Sequence, residues 1–135
     1  MAKNFFWFVF ALFVGTATYT GWHPGFFDFN VRLGGLKFLV MLCFAAFLGY
    51  SIYCSSRESL PATIQKMARL HWGRQIGIDL YIGLSIFLGI VFAMEGSPLA
   101  AAAWILPTLL FGNLATLLYL SIHFDAIVSR LNQVL

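Results

Sequence analysis

The acidic side chain best placed to do chemistry is Asp79, one turn inside an apolar run and flanked by Gly77 and Gly83. A carboxylate at the edge of hydrocarbon is expensive, so its presence there points to a role as proton carrier, cation ligand or acid of a site. The glycines would let another helix approach closely. The structural alternative is a carboxylate paired with Arg74, or one stabilised near the positive end of a helix dipole. Further along, Thr108, Gly112, Thr116, Tyr119 and His123 follow one another at steps of four or three, so on one helix they share a face. Asn113 borders that face. Within lipid such a face turns toward protein, forming interhelical hydrogen bonds, or toward a lipophilic molecule with a polar head. Thr108, Asn113, Thr116 and Tyr119 are the candidate ligand contacts.

Histidines suggest a third chemistry. His71 and His123 both fall at one edge of the apolar segments, with Asp125 two residues beyond His123 and Asp79 nearby. Imidazole and carboxylate together suit zinc or iron, which makes His71, His123 and Asp125 candidate metal ligands. Neither a His-Glu-x-x-His motif nor the repeated Glu-x-x-His of di-iron bundles occurs. His23 is expected on the opposite side. Nucleophile elbows, P-loops and dinucleotide-binding glycine patterns are absent too, and no motif names a cofactor.

The elements that must position these residues follow from composition. Of 135 residues, 61% are hydrophobic and 10% charged, against about 25% charged in an ordinary soluble domain. Eight Lys and Arg with five Asp and Glu cannot cover a soluble fold of this size, so much of the surface must face lipid. A net charge of +3 without a basic stripe argues against nucleic acid. Cys43 and Cys54 lie in one apolar run, about 16 Å apart on a helix, too far for a disulfide.

Four apolar runs, 5–21, 33–53, 76–94 and 98–122, are read as membrane helices. The first has Lys3 in front and small residues at Gly15 and Ala17, features of a signal peptide, and is read as a retained short span. Trp22-His23-Pro24-Gly25 ends it. Lys37 sits one turn inside the second run and can snorkel to the interface. Glu95-Gly96-Ser97-Pro98 makes a tight turn between the third and fourth runs, and Pro107 should kink the fourth. Between the second and third, Ser59 and Pro61 open a short helix over 60–72. There Ile64, Met67, Ala68 and His71 recur on one side, with Lys66 and Arg69 on another. This is an amphipathic helix in the membrane surface anchored by Trp72, the alternative being an ordinary cytoplasmic loop. Lys3, Arg57, Lys66, Arg69, Arg74 and Arg130 on one side outnumber Arg32 and Lys37 on the other, which predicts both termini in the cytoplasm. The expectation is one all-α domain, a four-helix integral bundle in an inner or plasma-type membrane.

The second half resembles a known group. Asp79-Leu80-Tyr81-Ile82-Gly83, Glu95-Gly96, Phe111-Gly112-Asn113-Leu114-Ala115-Thr116 and then Tyr119 are similar, across residues 76–120, to small, mostly uncharacterised polytopic membrane proteins. Some of those look distantly related to membrane-embedded terpene cyclases. The resemblance implies an isoprenoid chemistry served by acidic residues at the membrane edge, here Asp79 and Glu95. Three functions follow in order of preference. The first is a non-catalytic subunit that packs in a larger membrane assembly or binds a lipophilic ligand. The second is an intramembrane enzyme acting on an isoprenoid or another lipid, and the third a small oligomeric transporter or channel along Asp79, Asn113 and the Pro107 kink. Expected partners are membrane lipid, other membrane subunits or further copies of the chain, and a lipophilic small molecule.

Overall fold

A computed structural model describes residues 2–135. It contains six helices, α1 (Ala2–Gly21), α2 (Gly34–Arg57), α3 (Leu60–Ala68), α4 (His71–Met94), α5 (Pro98–Phe111) and α6 (Asn113–Val134), and among the described residues no strand. Three of them, α2, α4 and α6, are long and apolar enough to cross a membrane; α5 is apolar but has 14 residues. The apolar runs set α2 and α4 because no Pro or turn cluster interrupts them. α2 starts after Leu33, which takes a left-handed backbone conformation with φ 63°. α3 starts at Ser59 with Pro61 in its first turn, although the Ser59 hydroxyl makes no capping bond.

Two boundaries move with consequences for function. The helix expected over 60–72 ends at Ala68, and His71 and Trp72 belong to α4, so Asp79 lies more than two turns into α4 rather than one. The run 98–122 is not one kinked helix. Pro107 lies inside α5 without ending it, and the break comes at Gly112, with φ 56° and ψ −128°. Residues with a Cβ rarely adopt that conformation, whereas glycine does so freely. The chain turns back there: Trp104 on α5 meets Tyr119 on α6 edge-on at 4.9 Å, and Arg130 Nη1 donates to the Ala93 carbonyl at 3.0 Å. α5 and α6 therefore form an antiparallel hairpin, and α6 runs twelve residues past the expected end at 122.

α6 is the centre of the bundle. It packs chiefly on α2 and α5, and also on α1 and α4. Its Leu118, Tyr119 and Ile122 join Val91, Ala101 and Trp104 in one core cluster, while Leu114 and Ala115 join Phe10 of α1 and Phe111 of α5 in another. Gly21 lies so close to Ile122 that a Cβ would overlap its side chain. At the other end of α1, Trp7 Nε1 donates to Ser55 Oγ at 2.9 Å. The start of α1 thus lies beside the end of α2, and the second half of α6 beside the end of α4. The start of α1 and the end of α6 thus lie at opposite ends of the bundle, where the expected layout had both on one side.

The outside of the bundle is greasy. Phe38 and Leu42 on α2, and Ile78, Ile82, Ile86 and Ile90 on α4, each expose about half of their surface.

Candidate functional site

The polar side chains gather at the end of the bundle where α4 passes into α5. Glu95 stands in the short turn after α4, fixed by its own N–H bond to the Val91 carbonyl at 2.8 Å. Tyr119, fully buried on α6, donates its hydroxyl to Glu95 Oε1 at 3.1 Å. One turn further along α6, His123 Nε2 lies 3.6 Å from the same oxygen. The imidazole stacks on the Tyr119 ring at 4.2 Å between centroids, and Trp104 stands edge-on to both. The α5–α6 hairpin creates this cluster, because the reversal at Gly112 brings Tyr119 and His123 back to Trp104 and the end of α4. Glu95 and His123 remain partly exposed, 19% and 27%, so both are reachable from the rim. At 3.6 Å the imidazole lies within ion-pair distance of the carboxylate but beyond hydrogen-bond reach, and Tyr119 holds the carboxylate in place.

A second cluster lies at the same end. Lys37, wholly buried in the first turn of α2, gives its ammonium three acceptors: the Gly25 carbonyl at 2.7 Å, Asp125 Oδ2 at 2.9 Å and the Asp28 carbonyl at 3.2 Å. An ammonium has three N–H donors, and all three are matched. His23 Nε2 approaches Asp125 Oδ2 at 3.7 Å and the Ile122 carbonyl at 3.3 Å. The loop 22–33 is thereby tied to α6.

The structure brings together some of the residues singled out from sequence and separates others. Glu95, Tyr119 and His123 converge. Asp79 is exposed on α4 and makes no ion pair among the described residues; Arg74, its expected partner, donates instead to the Ala68 carbonyl at 2.9 Å. Asp79 and Glu95 are about 24 Å apart along α4 and cannot share one substrate carbon. The metal set falls apart: His71 opens α4 at one end of the bundle, while His123 and Asp125 stand at the other. No group of three His, Cys, Asp or Glu side chains among the described residues could hold a metal ion. Of the candidate ligand contacts, Asn113 is exposed at the hairpin tip, while the hydroxyls of Thr108 and Thr116 are buried in the hairpin without hydrogen-bond partners. Asp79 and Asn113 are both exposed, on α4 and at the hairpin tip respectively. Cys43 and Cys54 are free thiols.

Sequence reasoning missed two participants. Lys37 was expected to snorkel outward and instead points into the protein. His23 was expected on the side opposite His123 and shares its rim. The available signal was the depth of Lys37 within an apolar run, where a buried cation requires an acidic partner.

No protein-family model, no curated protein and no solved structure matches this chain.

Proposed function

We propose that the chain is a polytopic integral membrane protein that serves as a non-catalytic subunit, packing against other membrane chains or holding a lipophilic ligand. One observation carries this reading: large apolar side chains cover the outside of α2 and α4, while the ionisable groups of the Lys37 and Glu95 clusters are directed at one another. Exposed apolar area on this scale is a surface meant for lipid or for partner helices.

In this proposal α1, α2 and α4 cross the bilayer and the α5–α6 hairpin dips into it. α5 spans about 21 Å, short of the roughly 30 Å of hydrocarbon, so Gly112 would stop inside. The hairpin tip suits that depth: Gly112 N–H bonds the Thr108 carbonyl, and the Gly112 carbonyl accepts from Ala115 and Thr116. Phe111 packs on Phe6, Phe10 and Phe13 of α1. Irregular backbone at membrane depth is tolerated where it is covered in this way. Arg130 belongs with Arg32 and Lys37 at the Glu95 rim, leaving Lys3, Arg57, Lys66, Arg69 and Arg74 at the other end. The five-to-three bias supports an orientation with the start of α1 and the α3 elbow in the cytoplasm and the end of α6 on the opposite side of an inner or plasma-type membrane.

Purification of the full chain in mild detergent tests the functional reading. The expected result is a complex with other membrane chains, or a bound lipophilic molecule released on extraction. A homogeneous preparation carrying neither overturns it.

A second reading, an intramembrane enzyme acting on an isoprenoid or other lipid, is favoured by one observation, the convergence of Tyr119 and His123 on Glu95. In that case Glu95 is the acid and Asp79 takes no part. Loss of isoprenoid turnover in Glu95→Gln, with folding retained, moves the function to this reading.

A further inference from the structure

The outer face of α4 carries a feature that the rim clusters leave unused. A shallow groove of about 660 Å³, open along its length, runs along it, lined from α4 alone by Arg74, Ile78, Tyr81, Ile82 and Ile86. Its floor is Gly77, where a Cβ would meet no atom within 4 Å. The polar groups along its wall are turned to backbone: Ser85 donates to the Tyr81 carbonyl at 2.8 Å, and the Tyr81 hydroxyl to the Leu109 carbonyl at 3.4 Å. What remains is apolar, with one cation at its mouth. From Arg74 to Ile86 the groove is about 18 Å long, close to the depth of one leaflet, half of a hydrocarbon core of roughly 30 Å.

Resting on the membrane reading above, we propose that this groove binds one anionic glycerophospholipid, its acyl chain over Gly77 and its phosphate on Arg74. The mouth presents one cation, Arg74. The Arg74 Nε bond to the Ala68 carbonyl pins the guanidinium beside the α3–α4 elbow. Its two terminal amino groups have no protein acceptor among the described residues, and a guanidinium presents paired donors that match a phosphate. The same end of the bundle carries Lys3, Arg57, Lys66 and Arg69 against Glu58, with Asp79 more than two turns deeper in α4. That surplus of positive charge selects a headgroup with net negative charge over a zwitterionic one. α3 supports the same placement, since it leaves Leu60 and Ile64 exposed beside Lys66.

Binding of phosphatidylglycerol and of phosphatidylcholine with identical chains to the detergent-purified full chain, measured by native mass spectrometry, tests the proposal. Phosphatidylglycerol should be retained in preference. Arg74→Gln should lower its retention about fivefold, the effect of one cation near a headgroup, and leave phosphatidylcholine nearly unchanged. Gly77→Leu, which the open space accommodates, should lower both lipids alike while thermal unfolding stays as in the parent. Arg32→Gln at the opposite rim should change neither. Equal retention of the two lipids by the parent chain, or no loss on Arg74→Gln, overturns the groove and leaves the membrane reading standing. A chain that stays dispersed without detergent and carries no lipid overturns the membrane reading itself.

Discussion

At the rim where α4 passes into α5, Lys37 is fully buried and all three of its donors meet acceptors within the protein. At the rim where α2 passes through α3 into α4, Arg57, Lys66, Arg69 and Arg74 are exposed or half-exposed, and none pairs with a carboxylate among the described residues. One set of charges is internal and holds loop 22–33, α2 and α6 together; the other faces outward. The contrast separates charge that determines the fold from charge free to meet a membrane or a partner. Placement and pairing decide which is which, since both sets lie close to the end of an apolar helix.

Removing charge at each end gives the sharpest version of this comparison. Lys37→Met should destabilise the protein by roughly 3–5 kcal/mol, because it leaves Asp125 and two carbonyls without their donor. The measurement is thermal unfolding in detergent. Arg74→Gln should stay within about 0.5 kcal/mol of the parent. Equal losses at the two ends would erase the distinction.

The glycines offer an internal control at the paired rim. A Cβ on Gly34 would collide with the Phe29 carbonyl, whereas one on Gly35 meets nothing within 4 Å. Gly34→Ala should therefore cost roughly 1–3 kcal/mol through forced backbone movement. Gly35→Ala should be neutral, or stabilising by about 0.5–1 kcal/mol through lower chain entropy. A smaller effect is expected at Tyr119→Phe, which keeps the packed ring and deletes the bond to Glu95, at about 0.6 kcal/mol. Smallest is Asp79→Asn, expected within about 0.5 kcal/mol with the assembly state unchanged on size-exclusion chromatography. A large loss there would show that the outward end holds structural charge after all.

Hydropathy made α2 and α4 legible, because an uninterrupted apolar run has few alternatives to a helix in lipid. The start of α3 was legible from Ser59 and Pro61 through local backbone preference. The hairpin at Gly112 was not. A glycine between Phe111 and Asn113 reads equally well as a small residue that lets helices approach, and average hydropathy does not register a reversal of direction within an apolar stretch. Half of the candidate site was visible for that reason: Tyr119 and His123 share a face on any helix, but their meeting with Glu95 depends on the chain turning back. Lys37 illustrates a different blindness. A lysine one turn inside a run can reach outward or inward with the same spacing, and the residue that decides between them, Asp125, lies 88 positions away. His71 shows the converse error. Placing it with His123 assumed one continuous helix over 98–122, and the reversal puts the two histidines at opposite ends.

The order in which the helices are made carries a cost that follows from the central position of α6. Helices α1, α2 and α4 leave the ribosome before the segment on which they converge, and α1 and α2 meet the other helices chiefly through α6. Until α6 is synthesised, α4 and α5 can pack on each other, but α1 and α2 lack the helix that they chiefly contact. A chain cut short before Leu114 would lack every buried side chain that α6 gives to the core, whereas one cut after Phe124 would keep them all.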